Sequence, residues 1–253
     1  MLIIRQEQLE ALRQNALSQY VERTLEQFHQ YFPGPCHVIG DSPLRKMIRM
    51  GVDRAAHHQI VGEGNVVLYT SVMLLCGTFF DEDPQYPWVR EILSDEDLPH
   101  EDQRAERLYD TFVAYWDRLS GGNRSSPIRA AMHIRELPVE QFDNCSREQV
   151  TEFLRLSWPQ KAAELGSTGI DTVLKEAERC AADYHMKTRL DLAVTSLLVF
   201  TLGNGFDRDP MYPWATEVLT SAEIPPADRG ARLYKAGQQY AERWIEFARQ
   251  EIE

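Results

Sequence analysis

Phe80-Asp-Glu-Asp-Pro-Gln-Tyr-Pro-Trp88 returns as Phe206-Asp-Arg-Asp-Pro-Met-Tyr-Pro-Trp214, 126 residues later. Seven of the nine positions are identical, among them Phe, Tyr, Trp and both prolines. The match extends outward. Val89-Arg-Glu-Ile-Leu-Ser94 pairs with Ala215-Thr-Glu-Val-Leu-Thr220, and Leu98-Pro99 with Ile224-Pro225. After a one-residue gap Arg107, Leu108, Tyr109, Tyr115 and Arg118 pair with Arg232, Leu233, Tyr234, Tyr240 and Arg243. Upstream, Phe32-Pro33 pairs with Trp158-Pro159, Gly40 with Gly166 and Gly77 with Gly203. Near Arg54 the register is open by one residue. Such self-similarity predicts two copies of one unit: repeat one over 1–120, a Ser/Gly/Asn/Pro-rich linker over 121–127, and repeat two over 128–253.

Each copy reads as helices, so the expected fold class is all-α, two tandem helical bundles with approximate internal twofold symmetry. Leu9, Leu12, Ala16, Tyr20, Val21, Leu25 and Phe28 form a 3.6-residue stripe that stops at Pro33. Ser146-Arg-Glu-Gln149 has the form of a capping box. The stretches 66–75 and 190–202 are apolar nearly all round, as in a central helix, and both end before a glycine suited to a left-handed cap. A buried strand is the rival for the first; the second is too long for one. The last helix carries Leu108, Phe112, Tyr115, Trp116 and Leu119 in copy one. Copy two carries Leu233, Gly237, Tyr240, Ala241 and Trp244, the same stripe with less volume. That predicts closer packing of copy two, against its sister.

Composition narrows function by exclusion. The formal net charge of the 253 residues is -12, which repels nucleic acid and anionic membranes and favours a basic protein surface as partner. No signal-like or membrane-spanning run occurs, and four cysteines without CxxC spacing read as reduced thiols, so a cytoplasmic protein is expected. No phosphate loop, nucleophile elbow, HExxH or Cys/His pair is present, and no cofactor is expected. The seven histidines do not match between copies.

The repeated loops invite chemistry through Asp81/Asp83 and Asp207/Asp209. Calcium and phosphoryl-transfer sites need further ligands that are absent here. Asp-Pro instead reads as a helix start, with Asp83 and Asp209 as caps and Pro84 and Pro210 at the first helical position. Phe80, Trp88, Phe206 and Trp214 then staple the loops to the core, and Arg107, Arg118, Arg232 or Arg243 pairs with a repeated Asp. If the loops recognise a partner, the contact residues are Phe80, Asp81, Asp83, Tyr86, Trp88, Phe206, Asp207, Asp209, Tyr212 and Trp214.

The opening Ile3-Ile-Arg-Gln-Glu-Gln-Leu-Glu-Ala-Leu12, followed by Phe-Asp-x-Asp-Pro-x-Tyr-Pro-Trp, resembles a group of proteobacterial proteins encoded beside type VI secretion spike and effector genes. The resemblance covers the first helix and both loops and brings no catalytic motif. It implies a non-catalytic chaperone or adaptor for an effector or spike component. An immunity protein neutralising a toxin is the second expectation. The third is a metal-binding protein or enzyme, for which the four aspartates must converge on one ion.

Overall fold

The computed structural model describes residues 5–121 and 125–250. Among them every regular element is helical: α1 (Gln6–Tyr31), α2 (Pro33–Ile39), α3 (Asp41–His57), α4 (Glu63–Cys76), α5 (Pro87–Leu93) and α6 (Glu101–Ser120), then α7 (Ser126–Glu136), a 3-10 turn (Val139–Phe142), α8 (Arg147–Ser157), α9 (Pro159–Asp183), α10 (Arg189–Leu202), α11 (Pro213–Thr220) and α12 (Pro226–Gln250). Residues 122–124 of the expected linker lie outside the described residues, as do Ile3 and Ile4. The last two linker positions, Ser126 and Pro127, already belong to α7, with Pro127 in its first turn, where a missing N–H costs nothing.

The two apolar helices are the centre. Val66, Tyr69, Val72, Met73, Leu74 and Cys76 of α4 are buried, as are residues 193–200 of α10. Each fully buried Val, Leu or Phe side chain contributes about 1.5–3 kcal/mol, which outweighs the modest helix propensity of the valines. The strand alternative for 66–75 fails because this segment is packed by α3 and α6 and presents no free backbone to a sheet. α10 is opened by a reciprocal box in which Thr188 and Asp191 satisfy each other's backbone N–H. Ser146 and Gln149 do the same at α8, as expected.

The same neighbourhoods recur along the chain. α4 lies against α3 and α6, and α10 against α9 and α12; α1 lies on α3 and α8 on α9; α5 lies on α6 and α11 on α12. α9 is interrupted at Gly166 (φ 62°, ψ -171°), where the chain between α2 and α3 turns at Gly40 (φ 86°, ψ 158°). Among the described residues the non-glycine positions with positive φ are Gln59 and His185, both 58° and 126 positions apart, which fixes the register left open near Arg54. Helix packing also crosses between the halves: α2 packs on α12, and α6 packs on α7 and on the start of α9.

α1 departs from this pattern. Its C-terminal part buries Tyr20, Val21, Thr24, Leu25 and Phe28, whereas residues 6–16 are exposed throughout. α8 is only 11 residues long, so this extension has no counterpart.

Candidate functional site

Both signature loops begin where a central helix stops. α4 ends at Gly77 (φ 99°, ψ 152°) and α10 at Gly203 (φ 98°, ψ 163°). Positive φ was expected, but with ψ near 150° this is a region essentially restricted to glycine rather than the left-handed helical cap. The two ends also abut. A Cβ on Gly77 would sit 2.9 Å from the Leu202 carbonyl oxygen, and one on Gly203 would sit 2.8 Å from that of Cys76. Glycine is required at both places on two counts.

Across this junction the loops exchange aspartates. Asp83 Oδ2 accepts from the Asn204 N–H at 2.7 Å, and its two oxygens also accept from the Gln85 backbone and side chain. Asp209 Oδ2 accepts from the Thr78 N–H at 2.7 Å, while its Oδ1 accepts from the Thr78 hydroxyl and the Met211 N–H. Thr78 and Asn204 are 126 residues apart, as are Asp83 and Asp209, so the exchange is reciprocal. Both carboxyls are buried. Burial pushes both above the usual carboxylate range despite these donors.

The helix-start reading of Asp-Pro is therefore corrected. α5 and α11 begin one proline later, at Pro87 and Pro213. Asp83 and Asp209 hold opposite halves of the chain together instead of capping their own helices. Local spacing cannot reveal this, because the donors lie 121 and 131 residues away.

Below the junction each loop drops its aromatics inward. Tyr86, Trp88 and Tyr115 form a triangle with ring centroids 5.7–6.2 Å apart. Tyr212, Trp214 and Tyr240 form another at 5.6–6.4 Å. Lys161 is buried between the rings of Tyr86, Trp158 and Phe200, its Nζ 5.4–5.6 Å from each centroid. Burial lowers its pKa to about 8, with Asp83 opposing. Pro35 occupies the place 126 residues earlier, so this cation belongs to one half only.

Asp81 sits in a different environment from Asp83. Its carboxylate is bonded by Arg54, by His58 Nε2 at 2.9 Å and by the Tyr69 hydroxyl at 2.7 Å. Burial works against ionisation, but His58, Arg54 and Tyr69 outweigh it and hold the group below the usual range. Glu82 reaches Arg54 at 3.0 Å and Arg208 at 3.9 Å, and both guanidiniums lie over the ring of Phe79. Asp207 has a lighter set: its Oδ2 accepts from the Tyr184 hydroxyl at 2.9 Å, and its backbone carbonyl from Thr216. The arginine expected from α6 or α12 is thus replaced by Arg54 of α3. Arg107, Arg232 and Arg243 do not take that place, and Arg118 pairs with Glu164.

The residues named as candidate partner contacts are largely covered in the isolated chain. Phe80, Asp83, Tyr86, Phe206, Asp209 and Tyr212 are buried, and the side chain of Asp81 is 3% exposed. Trp88, Asp207 and Trp214 are partly covered. The loops face inward because their apolar residues outnumber their polar ones and the polar ones find donors inside. Asp83 and Asp209 do approach one junction, as convergence on an ion requires, but both oxygens of each accept N–H or O–H donors. Among the described residues no three His, Cys, Asp or Glu side chains are grouped to hold a metal. Chemically the arrangement is a clamp: charged groups locked by donors at the meeting of two helix ends.

The cysteines are free thiols, three of them buried, and among the described residues no helix is long and apolar enough to cross a membrane. No protein-family model, curated protein or solved structure matches this chain.

Proposed function

We propose that the chain is a non-catalytic interaction protein, a cytoplasmic chaperone or adaptor for a type VI effector or spike component. The observation that carries this reading is the extension of α1. Over residues 6–16, a length of about 16 Å at 1.5 Å per residue, the helix is exposed on every side and shows Leu9 (41% exposed) and Leu12 (56%). The stripe that binds Tyr20, Val21, Leu25 and Phe28 to the core continues along this extension with nothing to cover it. A short helix of this kind is marginal in water, and a partner surface taking Leu9, Leu12 and Ala16 would complete its burial, as in helix-in-groove recognition. In this reading α2, α3 and α4 hold the base of α1, and the loops are part of the frame and not the contact surface. The loop carboxylates that acid–base chemistry would need are all engaged by donors.

The same reading treats the chain as two copies of a helical bundle related by an approximate twofold axis between Gly77 and Gly203. It is supported by the reciprocal Asp83–Asn204 and Asp209–Thr78 bonds, the paired aromatic triangles and the matched positive-φ residues.

The test is a Leu9→Asp/Leu12→Asp variant, co-expressed with the effector and spike proteins of its own secretion cluster. The wild type should co-purify with one of them. The variant should lose it with an unchanged melting temperature. Equal recovery by both, or by neither, rejects α1 as the docking element. Rescue of cells from a cognate toxin would assign an immunity role instead.

A further inference from the structure

α12 is thinnest where α6 is thickest: Gly237 and Ala241 stand at the places that Phe112 and Trp116 fill in α6. Closer packing was the expectation, and it is met towards the two ends of α12, where Gly230 approaches Asp191 and where Gly34 of α2 approaches Trp244 and Phe247. Elsewhere the vacated volume stays open as a cavity of about 270 Å³ between α12, α10, α7 and the end of α4. Four of the five tryptophans (Trp116, Trp158, Trp214 and Trp244) line it, with Leu197 and Leu198 among the aliphatic residues, and none of the lining residues is charged.

The glycine is not demanded by the backbone. A Cβ at 237 would meet Leu198 at 3.5 Å and Trp214 at 3.9 Å, which are ordinary contacts. Glycine inside a helix is less favourable than alanine, so what residue 237 provides is space. Apolar cavities of about 150 Å³ stay dry and take up benzene; this one is larger and carries aromatic walls. At ~30 Å³ per water-sized group it holds about nine non-hydrogen atoms.

We propose that this cavity binds one uncharged apolar molecule of about that size, with any polar end left at the mouth beside the partly exposed Ile39, Thr201 and Leu202. The inference does not depend on the adaptor role. The experiment titrates the full chain with 1-octanol and with naphthalene, read by calorimetry and by melting temperature, and for octanol also by tryptophan emission. Saturable binding of one molecule per chain is expected, with a melting temperature that climbs with ligand concentration. Gly237→Phe and Ala241→Leu should each weaken binding at least tenfold while melting no lower than the wild type. Should the larger substitution fail to fold, Ala241→Leu alone decides. Absence of saturable binding by both probes, or undiminished binding in the folded variants, overturns the proposal. Loss of a protein partner by the filled variants without any small-molecule binding would overturn it in favour of an apolar side chain from that partner.

Discussion

Replacing Asp209 by Asn tests the clamp between the helix ends with almost no change of shape. The carboxylate takes three donors: the Met211 N–H and the Thr78 hydroxyl on Oδ1, and the Thr78 N–H on Oδ2. An Asn side chain keeps the first two through its carbonyl oxygen but turns its NH2 against the Thr78 N–H. Two buried donors then lack an acceptor at about 1–3 kcal/mol each, less what is recovered by not burying a charge. A net loss of roughly 2–4 kcal/mol follows, or roughly 5–15 °C in a chain of this size. Thr78→Val removes only the hydroxyl and should cost about 1.5–3 kcal/mol in the wild type, where its acceptor is charged, and about 0.5–1.5 kcal/mol in the Asp209→Asn background. Urea unfolding of the four proteins at neutral pH should therefore show a coupling of about 1 kcal/mol. Asp143, which is exposed, provides the control substitution to Asn. The pH dependence has a defined sign. Asp209 titrates above its unfolded value of 3.8, so the folded chain holds the extra proton in that window. Its contribution to stability is present below pH 3.8 and is lost as pH rises through the folded pKa; Asp209→Asn should erase this slope. If Asp209→Asn shifts the midpoint no more than Asp143→Asn, or the two clamp substitutions simply add, the clamp reasoning is refuted.

Other consequences are open to the same assays. Lys161 is held at about 8 against 10.5 when unfolded, so the unfolded chain binds more protons between those values and wild-type stability rises with pH there. Between pH 7 and 9 the wild type should gain about 1 kcal/mol relative to Lys161→Met, and parallel pH curves would contradict a buried ammonium. Gly203→Ala and Gly77→Ala should each cost at least about 1–3 kcal/mol from φ alone, whereas Gly64→Ala, with open space around it in α4, should be neutral or stabilising in a thermal melt. Tyr69→Phe should cost about 1–3 kcal/mol by removing a donor from Asp81. Because the folded Asp81 titrates below its unfolded value, its contribution is present above that value and fades as pH falls through the folded pKa. Asp81→Asn should flatten that acid limb, which an acid titration of stability would reveal.

Much of the local architecture was legible in the chain because it rests on local rules. Periodicity marked α1 and α6, Pro33 marked the end of the first stripe, the Ser146–Gln149 box opened α8, and Gly77 and Gly203 ended the two central helices. Expectations failed where a side chain had two uses and only a distant partner chose between them. Asp83 before proline has the look of a cap; the Asn204 N–H, 121 residues on, takes it instead. The arginines of α6 recur with the loops and looked like their anchors, yet Arg54 reaches Asp81 because α3 packs beside α4. His58 carried no repeat signal and proved to be a partner of that same carboxylate.

The shrinking of the α12 stripe shows the same division. Gly237 and Ala241 are visible as lost volume in one dimension, but whether neighbours close over a gap or leave it depends on where α7, α10 and α2 come to lie. By itself the sequence determined that the chain is helical, where several of its helices end, and that its two halves repeat a pattern. Those properties follow from hydrogen bonding and side-chain period within a few residues. Tertiary structure alone decided which aspartates bridge the halves, that the signature loops face inward, that α1 projects, and that a cavity remains. Each of these depends on donors, acceptors and surfaces brought together from positions far apart in the chain, which no local spacing encodes.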